Sequence, residues 1–201
     1  MAVTEGLYVA ATLFVFVVIV IAYGSFRQRQ LTRPIYIENP ILGLLDLSNG
    51  LSASDVDSDR EILSELFSNV VQGSAQTPKC DVLLIYCQIE PDGRIRGSQR
   101  GLRDLIRESG APVVVVASAN THEGYIAAAK KIGYGYANLV MTHDRKGDGF
   151  GPYFYQLFST MKQGISMPVA WGRRAAPIPG KEQPAVPAVI FVCEAGQIAF
   201  R

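Results

Sequence analysis

An uninterrupted apolar run near the start constrains this chain more than any other feature. Residues 7–26, LYVAATLFVFVVIVIAYGSF, carry no charge. About 20 apolar residues rising 1.5 Å each cross a hydrocarbon core of about 30 Å. The run predicts a single transmembrane helix, and nothing later in the sequence is long and apolar enough to be a second. The competing reading is a cleaved secretory signal ending at Ala22-Tyr23-Gly24, but that wants a basic start and a shorter apolar stretch. Before the run the only charged side chain is Glu5, whereas Arg27, Arg29 and Arg33 follow it. The positive-inside rule then places residues 1–6 outside and everything after the span in the cytoplasm, at the inner (plasma) membrane. The span contains no GxxxG and no charged residue, so it predicts neither a packed helix dimer nor a pore.

Behind the span, residues 27–40 have mixed polarity and two prolines, Pro34 and Pro40, and read as a linker. Residues 41–201 are enough for one domain with its own core. Lys plus Arg total 19 against 18 for Asp plus Glu. The three arginines beside the span exceed that difference, so the domain has no cationic excess for nucleic acid. Cys80, Cys87 and Cys193 are odd in number and two sit in apolar runs, which suits buried thiols in a reducing compartment rather than a disulfide framework.

Along the domain, apolar strands alternate with amphipathic helices. Residues 41–47 read as a strand leaving into Ser48-Asn49-Gly50. Ile62, Leu63, Leu66, Phe67, Val70 and Val71 fall on one helical face, with Ser58 and Glu61 at capping-box spacing and Gly73 behind. A strand is expected at 82–89, a turn at Pro91-Asp92-Gly93, a helix at 98–109 closed by Gly110, and a strand at 113–117. A helix at 121–132, a strand at 138–142 and a helix at 150–163 follow. The last turns Phe150, Phe154, Leu157, Phe158 and Met161 inward; Tyr153 and Tyr155 cannot both join them, which leaves one for a partner. Five prolines between Pro168 and Pro187 predict loops. Two final strands, 188–193 and 197–200, suggest a terminal hairpin at a sheet edge. Such alternation predicts an α/β fold, a three-layer sandwich with a mainly parallel sheet and right-handed crossovers.

In sheets of this kind ligands gather at the carboxyl ends of the strands. Those ends carry Asp46 and Ser48, Cys87 and Gln88, Ser118 and Asn120, and His143, Asp144 and Arg145, with His122 just beyond the third. Together they make a candidate binding rim. The pieces CDVLLIYCQ, VVVVASANTHEG and ANLVMTHDRKGDGFGPYFYQLFSTMKQG resemble, in that order, the CHAT domains, bacterial relatives of caspases. The resemblance covers roughly residues 80–164. It implies a caspase-like fold in which one strand ends in a catalytic histidine and the next, of the form S-A-C, in a nucleophilic cysteine.

On that pattern the histidine position falls on Gln88 and the nucleophile position on Asn120. Neither side chain supplies a thiolate or a neutral-pH proton shuttle. The resemblance therefore implies a pseudoenzyme with no catalytic residues. Competing readings stay open at several positions. Cys87 is a displaced nucleophile or a small buried hydrophobe. His122 and His143 lack a third metal ligand at recognisable spacing, so no metal or other cofactor is expected. His143-Asp144-Arg145 is an anion site or a solvated turn. Gly147-Asp148-Gly149-Phe150-Gly151 precedes a helix, but no Lys-Ser/Thr pair follows and Pro152 removes an amide donor.

Three functions fit. The first is a membrane-anchored CHAT-like module that binds, senses or signals through protein partners or self-association. The second is a hydrolase, either thiol-based through Cys87 with His122 or His143, or a TIR-like NAD hydrolase using Glu123. The third is an effector acting through clustering of its membrane helix.

Overall fold

A computed structural model describes residues 34–48, 53–74, 76–90, 92, 94–117, 137–142, 150–175 and 189–201, all within one compact unit, Pro34–Arg201. Among the described residues no helix is long and apolar enough to cross a membrane, and the expected span at 7–26 lies outside them. The expected helix at 121–132 also lies outside.

The elements run β1 (Pro34–Ile37), β2 (Ile41–Asp46), α1 (Ala53–Ser64), β3 (Asn69–Gly73), β4 (Val82–Tyr86), α2 (Leu102–Ser109), β5 (Val113–Val116), β6 (Asn138–Thr142), α3 (Phe150–Lys162), α4 (Met167–Ala175), β7 (Val189–Cys193) and β8 (Gln197–Phe200). Six strands form one sheet in the order β3-β2-β4-β5-β6-β7, and β1 and β8 form a separate parallel pair. All neighbours in the large sheet are parallel except β7, which runs antiparallel to β6. The protein is thus α/β with a mainly parallel sheet, as the alternation implied.

Strand pleating sends alternate residues to opposite faces, and here each face meets its own core. Leu42, Leu44, Val82, Leu84, Tyr86, Val113 and Val115 pack with residues of α1, α3, α4 and β8. Leu45, Leu83, Ile85, Cys87, Val114 and Val116 pack with Leu102, Leu105 and Ile106 of α2. Helices therefore cover both faces, as in a three-layer sandwich. The crossovers β2-α1-β3 and β4-α2-β5 travel in opposite directions on opposite faces, so a single hand serves both.

Local chemistry explains the helices. The amide of Gly101 is held by Oδ2 of Asp104 at 3.1 Å at the start of α2, and Gly110 closes it at φ 72°, its amide on the Ile106 carbonyl. Only glycine adopts that left-handed geometry without steric cost. α3 buries Phe150, Phe154, Leu157, Phe158 and Met161 as the spacing required. Tyr153 is buried as well, and Tyr155 is half-buried against the same core.

Four expectations are corrected. The helix beginning at Ala53 stops at Ser64, and Val70 and Val71 belong to β3, which pairs with β2; Ser58 is inside the helix rather than its cap. Pro34–Ile37, in the stretch read as linker, is a strand because β8 supplies a pairing edge. Met167–Ala175 is a helix despite Pro168, whose ring is tolerated in a first turn where the amide needs no intrahelical acceptor. The terminal strands do not pair as a hairpin: β7 joins β6 and β8 joins β1.

Candidate functional site

The parallel strands, taken in chain order, lie 2-1-3-4-5 across the sheet, so the chain reverses direction between β2 and β4. Ligands of open α/β sheets bind in the crevice at such a switch point, beyond the carboxyl ends. Here the crevice begins at Asp46 and Tyr86, which are register partners, and the amide of Leu47 continues the ladder to the Tyr86 carbonyl at 2.8 Å.

Asp46 turns its carboxylate back on its own chain. Its Oδ1 accepts the Ser48 amide at 2.9 Å and the Ser48 hydroxyl at 2.6 Å. This closed turn satisfies the carboxylate locally and leaves Ser48 nearly buried.

Cys87 faces the α2 side of the sheet, among Ile85, Ile89 and Leu102. Burial pushes its thiol up to about 12, because a thiolate there loses its hydration. The group is protonated at neutral pH and a poor nucleophile. Cys80 is raised to about 12 by burial and by Asp81, against a lowering hydrogen bond from Gly43. Cys193 is raised by burial and lies exposed at the end of β7.

Gln88 is half-buried and engaged twice by Arg96. Its carbonyl accepts the Arg96 amide at 2.8 Å, and its side-chain oxygen accepts from Nη1 of the guanidinium. The Nε of Arg96 meets Glu90 at 2.6 Å, and Arg94 is paired with Asp92 at the same distance. Beneath these exposed pairs Ile89 and Ile95 form an antiparallel bridge with both side chains buried. The result is a short folded-back loop after β4 that fixes the Gln88 side chain.

Strands β4 and β5 end side by side, with the Ala117 amide on the Ile85 carbonyl at 2.8 Å. Of the predicted rim, Asp46, Ser48, Cys87 and Gln88 are therefore located. Ser118, Asn120, His122, His143, Asp144 and Arg145 lie outside the described residues, as does Glu123. Among the described residues no cluster of His, Cys, Asp and Glu is built to hold a metal.

Sequence reasoning missed two features of this end of the sheet. The buried hydroxyl of Tyr86 donates to buried Asp59 of α1 at 2.8 Å. Asp59 sits in the charged run DVDSDRE, which reads as a solvated face, and only its spacing from Val56 and Leu63 placed it inward. Arg96 was the other omission; its Gln88 contact depends on the loop turning back. Compared with known proteins, the chain matches no family model, no curated protein and no solved structure.

Proposed function

We propose that this chain is a membrane-anchored, CHAT-like pseudoenzyme of caspase-like fold, working as a binding, sensing or signalling module at the inner face of the membrane. In this reading residues 7–26 span the bilayer with residues 1–6 outside, and the domain beginning at Pro34 is cytoplasmic. The carrying observation is at the end of β4. The position matched to a catalytic histidine is Gln88, tied to Arg96, and the adjacent thiol of Cys87 is buried and protonated. Adjacency of β4 and β5 supports the same mapping, because a dyad shared between two strand ends needs those strands to be neighbours.

Restoring the dyad tests the mapping directly. In the double variant Gln88→His/Asn120→Cys, the introduced thiol should alkylate faster near neutral pH than in Asn120→Cys alone, because imidazolium stabilises the thiolate. Equal rates would remove the CHAT assignment. The unmodified full chain should cleave no peptide in a substrate panel, and turnover abolished by Cys87→Ala would make it a thiol hydrolase.

A nucleotide-directed α/β enzyme remains the second reading. It is favoured by the flavodoxin-like 2-1-3-4-5 order of the parallel strands and the crevice this creates. Consumption of NAD by the full chain, lost in Glu123→Gln, would establish it. Clustering of the membrane helix is tested by permeability: enforced clustering that left vesicles sealed would end that idea.

A further inference from the structure

At one border of the large sheet, β3 pairs with β2 and, among the described residues, with no strand on its other side. A strand presents hydrogen-bonding groups to both sides, so this border offers a row of N–H and C=O groups to another extended chain. Sheet edges are commonly blunted by lysine, proline or a bulge. The sequence NVVQG of β3 has no charge and no proline, and its register with β2 runs unbroken from Asn69 opposite Ile41 to Gly73 opposite Leu45.

Beside this border lies an open groove of about 730 Å³, lined by Asp57, Ser58, Arg60, Glu61 and Ser64 of α1 and by Val70 of β3. Asp59 and Ile62 of α1 face Gly151 of α3. At about 100° per residue, Asp57, Glu61 and Ser64 then fall on the opposite flank of the helix, toward the open side of β3. Val70 packs into the core on the α1 side of the sheet and Val71 into the core on the α2 side. A chain laid along β3 therefore sends alternate side chains into the groove and the others beside Val71.

Charge says what fits there. Arg60, the cation of the groove, is already engaged: Nη2 meets Asp57 at 3.1 Å and Nη1 donates to Gln72 at 3.3 Å. Among the described residues Glu61 makes no ion pair, and two carboxylates against one guanidinium leave the groove acidic. As the crossover between parallel strands, α1 runs against β2 and β3. Asp57 and Glu61, one turn apart, are separated by about 6 Å along its axis, close to the roughly 6.7 Å between alternate residues of a strand. We propose that the free edge of β3 takes up an extended segment of a partner protein as an added strand. In that segment basic residues alternate with apolar ones, the basic side chains reaching Asp57 and Glu61 and the apolar ones lying beside Val71. A second copy paired edge to edge would instead bring α1 against α1 at about 10 Å, setting these carboxylates against their own kind. The inference depends neither on the dyad mapping at β4 nor on the anchor.

A fluorescent seven-residue peptide of alternating Lys and Val, and its Glu-Val counterpart, are titrated with the full chain in a non-ionic detergent. Anisotropy should show saturable binding of the Lys peptide, weakened by salt, about tenfold weaker in Asp57→Lys/Glu61→Lys and absent for the Glu peptide. Both substituted side chains are exposed, and an unchanged urea midpoint checks that the variant folds. Backbone chemistry separates strand addition from ionic attraction. N-methylation of one alternate set of peptide amides should abolish binding and methylation of the other set should spare it, while amide exchange in Asn69–Gly73 slows on binding. Absence of saturable binding overturns the proposal. Equal binding by the two methylated peptides, or unchanged exchange in β3, reduces the contact to ionic attraction and also overturns it. Exchange in β3 that slows with protein concentration alone, in a chain that dimerises, assigns the edge to a second copy and overturns it too.

Discussion

The hydroxyl of Tyr86 donates a 2.8 Å hydrogen bond to Oδ2 of Asp59, joining the last residue of β4 to the middle of α1 with both side chains closed to solvent. A buried carboxyl is tolerated only with donors around it, and this bond also fixes where β4 ends and the rim begins. Tyr86→Phe should cost about 1–3 kcal/mol, the penalty for removing a donor from a buried polar group. Asp59→Leu should cost a similar amount, but the double variant less than the sum of the two. Urea unfolding of all four species measures the coupling, and strict additivity would mean the bond contributes nothing.

Two glycines, one within the sheet and one between α3 and α1, sit where a side chain would collide. A Cβ on Gly43, in the centre of β2, would lie 2.5 Å from Sγ and 3.0 Å from Cβ of Cys80, and 3.1 Å from Pro78. On Gly151 it would meet Cδ1 of Ile62 at 2.8 Å and Oδ1 of Asp59 at 3.0 Å. The tip of Ile62 can swing away, whereas Cys80 and Pro78 sit close to their backbones. Gly43→Ala is therefore expected to destabilise by about 2–3 kcal/mol and Gly151→Ala by about 1 kcal/mol. Ile62→Val should recover part of the second loss. Equal midpoint shifts for the two glycine variants would contradict this ordering.

The thiols give a pH prediction with a definite sign. Cys87 is raised from 9.0 to about 12 by burial, so the folded chain keeps this proton after the unfolded chain has released its own. Its contribution to stability is intact below about pH 9 and is lost as pH rises toward about 12. Stability should fall in that window, and Cys87→Ala should flatten the fall by about 1.4 kcal/mol per pH unit. Unfolding free energies at pH 8, 9.5 and 10.5 test this. At pH 8 a thiol reagent should modify Cys193 quickly, with Cys80 and Cys87 reacting only after denaturant is added. Rapid labelling of Cys87 in the native chain would reverse the assignment of this thiol as packing.

Asn138 fastens the chain end to the sheet. Its buried side chain donates from Nδ2 to the Gly196 carbonyl at 2.7 Å and accepts the Ala195 amide at 3.1 Å. Those two bonds set the turn that carries the chain from β7 to β8 and hence to β1. Asn138→Ala is expected to cost about 2–4 kcal/mol, two buried groups losing partners at once. Amide exchange should accelerate in β8 and β1 more than in β4 or β5. A uniform change across the sheet would show that Asn138 supports the whole domain rather than the turn.

Continuous apolar strands and a glycine-capped helix are written in single segments, which is why β2, β4, β5 and β6 and the helices α2 and α3 were legible. Each buries a face defined by its own period, and Gly110 and Gly164 end helices by their own backbone freedom. β3 was not legible: NVVQG follows a helical spacing closely enough to extend α1, and it becomes a strand because the edge of β2 offers it hydrogen bonds. The same holds for β1, whose four residues find β8 from the far end of the domain. The strand ends naming Asp46, Ser48, Cys87 and Gln88 were readable because strands stop where their apolar runs stop.

Sequence by itself thus determined the apolar segment, the alternation of strand and helix, and the residue types at the strand ends, since all of these are local properties of composition and period. Tertiary structure alone decided that Cys87 is buried and protonated, that Gln88 is held by Arg96, and that Asp59 turns inward to Tyr86. Each of those depends on residues distant in sequence meeting in space. Burial, hydrogen-bond partners and surface contiguity are set by the neighbours a residue acquires on folding, and no window along the chain contains them.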